Sequence, residues 1–119
     1  MAKILVVDDA EFLRIRISKL LTGSGHQVIE ADNGMNAVSA YSTGHPDAVL
    51  LDITMPEMDG LAALKEIRAG DPNARVVMLT ALGQESIVLE AIKFGAKDFV
   101  VKPFQPERVL AAINRAIAA

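Results

Sequence analysis

Residues 3–9 read Lys-Ile-Leu-Val-Val-Asp-Asp, an apolar run without polar alternation that closes on two carboxylates. Such a run marks a strand covered on both faces, as in a parallel sheet between helices. The pattern recurs along the chain: AVLL at 48–51 leads into Asp52, VVML at 76–79 into Thr80, and FVV at 99–101 into Lys102. Parallel strands of one sheet have their carboxyl ends on one edge, where open α/β sheets bind ligands. Three carboxylates, a hydroxyl and an ammonium therefore converge in one crevice.

Between these runs the spacing predicts helices. Leu13, Ile17, Leu20 and Leu21 recur at helical intervals, with Arg14, Arg16 and Lys19 on the wet side and Gly23 to Gly25 as a stop. Gln27 to Ala31 supplies a second strand, and Met35 to Ser42 a helix with Ala37, Val38 and Tyr41 inward. After the MPEMDG loop, Leu61, Leu64 and Ile67 mark a third helix. Ile87, Val88, Ala91 and Ile92 mark a fourth, and Val109, Leu110, Ile113 and Ile117 a fifth, which Pro106 opens. Met55, Pro56 and Met58 read as packing and turn residues, Met78 as core, and Gly60 as relief for a strained helix entry. His26 and His45 read as residues of solvated turns. Five β-α units with short connections make a doubly wound parallel sheet with helices on both faces. A (β/α)8 barrel needs about 250 residues, and the glycine fingerprint of a dinucleotide-binding turn is absent after the first strand.

The 119 residues suit one domain, expected to span 1–119. A net charge of -3 argues against a nucleic-acid binder, which needs a basic face. The chain has no cysteine, so disulfides and thiolate metal sites are excluded. The start MAKILVVDD is too short an apolar stretch for a signal peptide, and no run approaches a membrane span. A cytoplasmic protein with no membrane partner is the expectation.

A phosphate-binding turn after the first strand would carry glycine, serine or threonine, whereas this one carries Asp8, Asp9 and Glu11. It repels phosphate and attracts a cation. Two like charges about 4 Å apart repel by roughly 4 kcal/mol at an effective dielectric of 20, so a purely structural fold has no use for them. Carboxylates from strands one and three suit a hard ion such as Mg²⁺, which takes one or two carboxylates together with water and phosphate oxygens. Taken singly, each residue has a bland reading: helix capping for Asp8 and Asp9, a strand-end cap for Asp52, a turn for Thr80, a solvated charge for Lys102. Their joint placement at four strand ends speaks for chemistry.

The ordered set of Asp8-Asp9, Asp52 in LLDITMPEMDG, Thr80 in MLTA and Lys102-Pro103-Phe104 resembles the response-regulator receiver domain, from Lys3 to about Ala116. Within that family it is most similar to single-domain chemotaxis regulators, through DITMPEMDG, TALGQE and GAKDFVVKPFQPERV. The resemblance implies a flavodoxin-like (βα)5 fold, whose strand order 2-1-3-4-5 is already known for flavodoxin and for the chemotaxis regulator itself. It implies a phosphorylation-activated signalling protein of a two-component system, not an enzyme, that catalyses its own phosphorylation and slow dephosphorylation. Asp52 would be the phosphoacceptor. Asp9, Asp52 and the backbone carbonyl of Thr54 would hold Mg²⁺, with Asp8 acting through metal-bound water. Lys102 would pair with a phosphoryl oxygen, Thr80 would donate its hydroxyl to another, and Phe99 stands at an aromatic switch position. A cis bond at Lys102-Pro103 is expected. The implied partners are a sensor histidine kinase, here a chemotaxis kinase, and a flagellar motor switch protein or other downstream protein, with the regulator itself a monomer.

Three other readings compete. A phosphorelay intermediate or a receiver belonging to a larger regulator keeps the same site. A Mg²⁺-dependent phosphohydrolase with an aspartyl nucleophile would need a second substrate pocket or cap. A flavodoxin is disfavoured by the acidic first turn. Phe99 stands where chemotaxis members often have tyrosine. The positions that tune phosphate lifetime in the family, two residues after the acceptor and two after the switch hydroxyl, are Thr54 and Leu82. A leucine side chain cannot orient water, so Leu82→Glu and Leu82→Asn are expected to lose radiolabel from the phosphorylated protein faster than the parent chain does.

Overall fold

The computed structural model describes residues 2–53, 55, 58–81 and 84–118. Among these, strands β1 (Lys3–Val7), β2 (Gln27–Ala31), β3 (Ala48–Asp52), β4 (Val76–Thr80) and β5 (Asp98–Val101) alternate with helices α1 (Glu11–Gly23), α2 (Gly34–Gly44), α3 (Gly60–Gly70), α4 (Glu85–Lys93) and α5 (Pro106–Ala118). The sheet is parallel throughout, in the order β2-β1-β3-β4-β5. Every residue of β3 and β4 is buried, as their unbroken apolar runs require.

Alternate side chains of each strand face two different cores. Leu5, Val7, Val49, Leu51 and Met78 pack with Ala37 of α2, Ala63, Leu64 and Ile67 of α3, and Val88 and Ala91 of α4. Ile4, Val6, Leu50, Val77, Leu79 and Val100 pack with Ile17 and Leu21 of α1 and Val109, Ala112, Ile113 and Ala116 of α5. Met55 joins the first core and Met58 packs against it, while Pro56 lies outside the described residues.

Several side chains depart from the positions expected of them. The innermost stripe of α5 is completed by Ala112 and Ala116, whereas Leu110 and Ile117 are only partly buried, because a helix lying flat on a sheet needs small residues at its closest approach. Ile92 is exposed beside Leu89 on the outer face of α4. Arg14 is drawn off the wet side of α1, with 15% of its side chain exposed. His45, by contrast, lies exposed in the turn after α2 as expected, and takes the left-handed position there with φ 47°, where glycine is usual. His26 is half-buried, and its Nδ1 accepts from the Ala2 N–H at 3.3 Å.

The loop after β3 re-enters as a helix through a side-chain cap. Asp59 accepts from the Ala62 N–H at 2.9 Å, one of the orphan donors at the start of α3. Gly60 then opens α3 without a left-handed φ, so relief of strain is not its role. A Cβ at this position would run into the backbone of Asp52 and Ile53, while the Gly60 N–H donates to Ile53 O at 2.7 Å. Glycine lets the start of α3 lie directly on the end of β3, the strand that ends in Asp52. Since backbone atoms on both sides cannot give way, Gly60→Ala is expected to destabilise the fold by about 3 kcal/mol, measured by urea unfolding at an unchanged m-value.

Candidate functional site

Register sets the site. Val7 pairs with Leu51 across β1 and β3, so Asp8 and Asp52 are the next residues along two adjacent strands. Thr80 pairs with Val101 across β4 and β5, and the Lys102 N–H donates to Thr80 O at 2.7 Å, which carries the lysine past the end of β5 and over the sheet edge. Its Nζ lies 3.1 Å from Asp52 Oδ1 and 3.2 Å from Asp8 Oδ2. Asp8 is fully buried, Asp52 is 5% exposed and Asp9 is exposed. The Lys102-Pro103 bond is cis.

The Asp8 turn is held from several directions. Its N–H donates to Ala31 O, its Oδ1 accepts from the Ala10 N–H at 2.9 Å, and its carbonyl accepts from Arg14 Nη1 at 2.8 Å. Arg14 Nε in turn donates to Glu30 on β2 at 2.9 Å. Neither Asp8 nor Asp9 caps α1: the N-cap is Ala10, and it carries no side-chain cap. Arg14 is thus a supporting residue that the sequence left on the solvent face, since periodicity places the Cα of a long side chain but not its guanidinium.

Burial pushes the Asp52 carboxyl up to about 6, with further upward pressure from Asp8 and then Asp9, against the downward pull of Lys102. Burial by itself would lower Lys102, yet the carboxylates of Asp52 and Asp8 outweigh it and raise the ammonium above its ordinary value. The balance is an acidic cluster incompletely neutralised by one cation. Carboxylate oxygens of Asp8, Asp9 and Asp52 lie within 4.8 Å of one another, close enough to share an ion. The donor set is all hard oxygen and includes neither histidine, so the residues fit a small hard divalent cation and not zinc. Thr54 and Leu82 lie outside the described residues.

Thr80 stands apart from this cluster. It is buried, and its hydroxyl is 2.9 Å from Gln84 Oε1 and 3.2 Å from Ala81 O, on the side of α4. Gln84 also accepts from the Ala81 N–H at 2.7 Å. The structure brings together Asp8, Asp9, Asp52 and Lys102 and turns Thr80 toward the helix. Gln84 stands in the TALGQE stretch, but periodicity gives it no role, because a polar residue before a helix is commonplace. Below Thr80 an apolar groove of about 270 Å³ is lined by Val88, Leu89, Ile92, Phe99 and Val101, and Phe99 is half-buried in its wall.

Known proteins resemble this chain in sequence and in fold. A family profile described as response regulator receiver domain matches residues 4–114. The chemotaxis protein CheY of Bacillus subtilis is 54% identical over 97% of both chains, and that of Listeria monocytogenes 55% identical over 98% of both. The receiver domain of NtrX from Brucella abortus superposes with a TM-score of 0.93 at 36% identity, over 98% of each chain. Among the described residues no helix is long and apolar enough to cross a membrane.

The raised Asp52 carboxyl has a measurable cost. Its folded value of about 6 lies above the 3.8 of an ordinary aspartate, so the folded protein binds the extra proton and loses stability as pH rises from about 4 to about 6. Above that window the penalty is complete, at roughly 2 to 3 kcal/mol. Asp52→Asn is therefore expected to melt above the parent chain at pH 8 without divalent cation, and the gap in thermal melts is expected to close toward pH 4 and to narrow when Mg²⁺ is added.

Proposed function

The chain belongs to the response regulator receiver domain family, and from that premise we propose that Asp52 is its phosphoacceptor. A phosphorylation-activated response regulator needs a nucleophile, a means of holding charge on the transferred group and a surface that reads the result. The observation that carries the assignment is Asp52 at the end of β3, buried beside Asp8 and joined to Lys102 at 3.1 Å.

Phosphoryl transfer asks chiefly for positioning and for charge stabilisation on the equatorial oxygens. An oxygen of the Asp52 carboxylate attacks phosphorus, the bond to the departing imidazole of a kinase phosphohistidine breaks, and an acyl phosphate remains on the chain. Lys102, already within reach of Asp52, follows a phosphoryl oxygen. Asp9, Asp52 and the carbonyl of Thr54 would hold Mg²⁺, which when bound neutralises charge on both carboxylate and phosphoryl group. Both side-chain oxygens of Asp8 are engaged by Ala10 and Lys102, which supports contact with that ion through water.

The phosphoryl group adds a charge of about -2 where Thr80 can donate to it. Movement of Thr80 out of its place beside the groove makes room for the Phe99 ring, and the face formed by α4, β5 and α5 changes shape. Resemblance over nearly the whole length to chemotaxis proteins supports a chemotaxis kinase as donor and a flagellar motor switch protein as the reader of that face.

Incubation with radiolabelled acetyl phosphate and Mg²⁺ is expected to label the parent chain once and Asp52→Asn not at all. Equal labelling of the two, or steady turnover of a phosphoester, would overturn the assignment. With beryllofluoride, the protein is expected to recover a flagellar switch component in a pull-down, whereas recovery of histidine phosphotransfer proteins instead would mark it as a relay intermediate.

A further inference from the structure

The hydroxyl of Thr80 has one proton to give. In this structure it faces Gln84 Oε1 at 2.9 Å, with Ala81 O the longer alternative at 3.2 Å. The same Gln84 oxygen takes the Ala81 N–H at 2.7 Å, so both of its lone pairs are used. Thr80 is 3% exposed, which limits competition from water for that bond.

Gln84 is also the N-cap residue of α4, and its carbonyl accepts from the Val88 N–H at 3.0 Å. Its side chain makes no capping bond to the helix and reaches back to β4 instead. The other end of α4 is fastened to α3: Lys65 Nζ lies 4.5 Å from the Phe94 ring centre and 3.4 Å from Glu90, and the guanidinium of Arg68 packs against Gly95. A change at Thr80 therefore reaches α4 at its N-terminal end, through Gln84.

We propose that Gln84 is a positioning residue that latches Thr80 in its resting orientation, its carboxamide oxygen competing with an Asp52-bound phosphoryl group for the single proton of the Thr80 hydroxyl. This rests on the reading of Asp52 as acceptor and Thr80 as switch. Phosphorylation then has to break the bond to Gln84 before Thr80 can turn, and its loss removes one restraint on the side chain at the head of α4. Ala81 is exposed, so water replaces the carboxamide on its N–H at little cost.

Two substitutions act in opposite directions. Gln84→Met keeps the length and removes the strong acceptor; Gln84→Glu keeps an acceptor in place and strengthens it with charge. In titrations of beryllofluoride with Mg²⁺ in excess, Gln84→Met is expected to bind about 5-fold more tightly than the parent chain and Gln84→Glu about 5-fold more weakly, as the loss or gain of one hydrogen bond implies. In resting Gln84→Met, the Thr80 methyl resonance is expected to move toward its beryllofluoride-bound position. Both affinity effects are expected to vanish in Thr80→Val, which lacks the hydroxyl. Parent-like affinity in both Gln84 variants, or effects of the same size in the Thr80→Val background, would overturn the latch while leaving the acceptor reading intact. Beryllofluoride binding that ignores Asp52→Asn would overturn that reading and the latch with it.

Discussion

One ammonium lies between two buried carboxylates, and the rest of the site is arranged around that shortage of positive charge. Lys102 meets Asp8 and Asp52 at 3.2 Å and 3.1 Å, and with Asp9 in the same cluster the carboxylates outnumber it. Removing one partner from a buried pair leaves an uncompensated charge, which costs far more than the pair itself contributes. The cluster is therefore tolerable with Lys102 in place and improved by any further cation. The same imbalance makes a divalent ion welcome before a phosphoryl group arrives, and leaves the lysine available to follow an anionic oxygen afterwards.

What allows the cluster to exist is the register of a parallel sheet. Asp8 and Asp52 are neighbours because Val7 and Leu51 are paired, and those residues are paired because both strands are buried on two faces and a slip by one would turn their side chains to the opposite cores. Gly60 allows the next helix to press on the end of β3. Arg14, fixed by Glu30 on β2, holds the carbonyl of Asp8 from the opposite side. The acidic residues are thus placed by backbone that is constrained on both flanks, which permits repulsion to be held without the loop relaxing away.

These relations divide by how far they can be read from the chain alone. Apolar runs ending in Asp8, Asp52, Thr80 and Lys102 disclose the sheet and its reactive edge because a covered strand leaves few polar residues, and the last one is conspicuous. The glycine at 60 is visible as a glycine, but its reason is not, since close approach to the Asp52 and Ile53 backbone is a fact of three dimensions. Ala112 and Ala116 lie deeper than Leu110 because contact distance, not hydrophobicity, decides the innermost stripe of α5. Arg14 and Gln84 escape notice for a shared reason: both are long polar side chains whose heads turn inward to backbone or hydroxyl partners, and a pattern of Cα positions carries no record of where a flexible head ends.

The direction of Thr80 matters most among these, because it lies between the charged edge and the apolar groove beneath α4. Effector coupling of about 1 to 3 kcal/mol is enough to shift a two-state equilibrium usefully. A single hydrogen bond in a buried setting is worth about 0.5 to 1.5 kcal/mol net, the same order. A switch of that size can be set by one side chain without loosening the fold, since both faces of the sheet remain packed whichever way the hydroxyl points. It also follows that such a switch is easily retuned: a residue at the head of α4 alters the balance while every carboxylate of the cluster stays where the strands hold it.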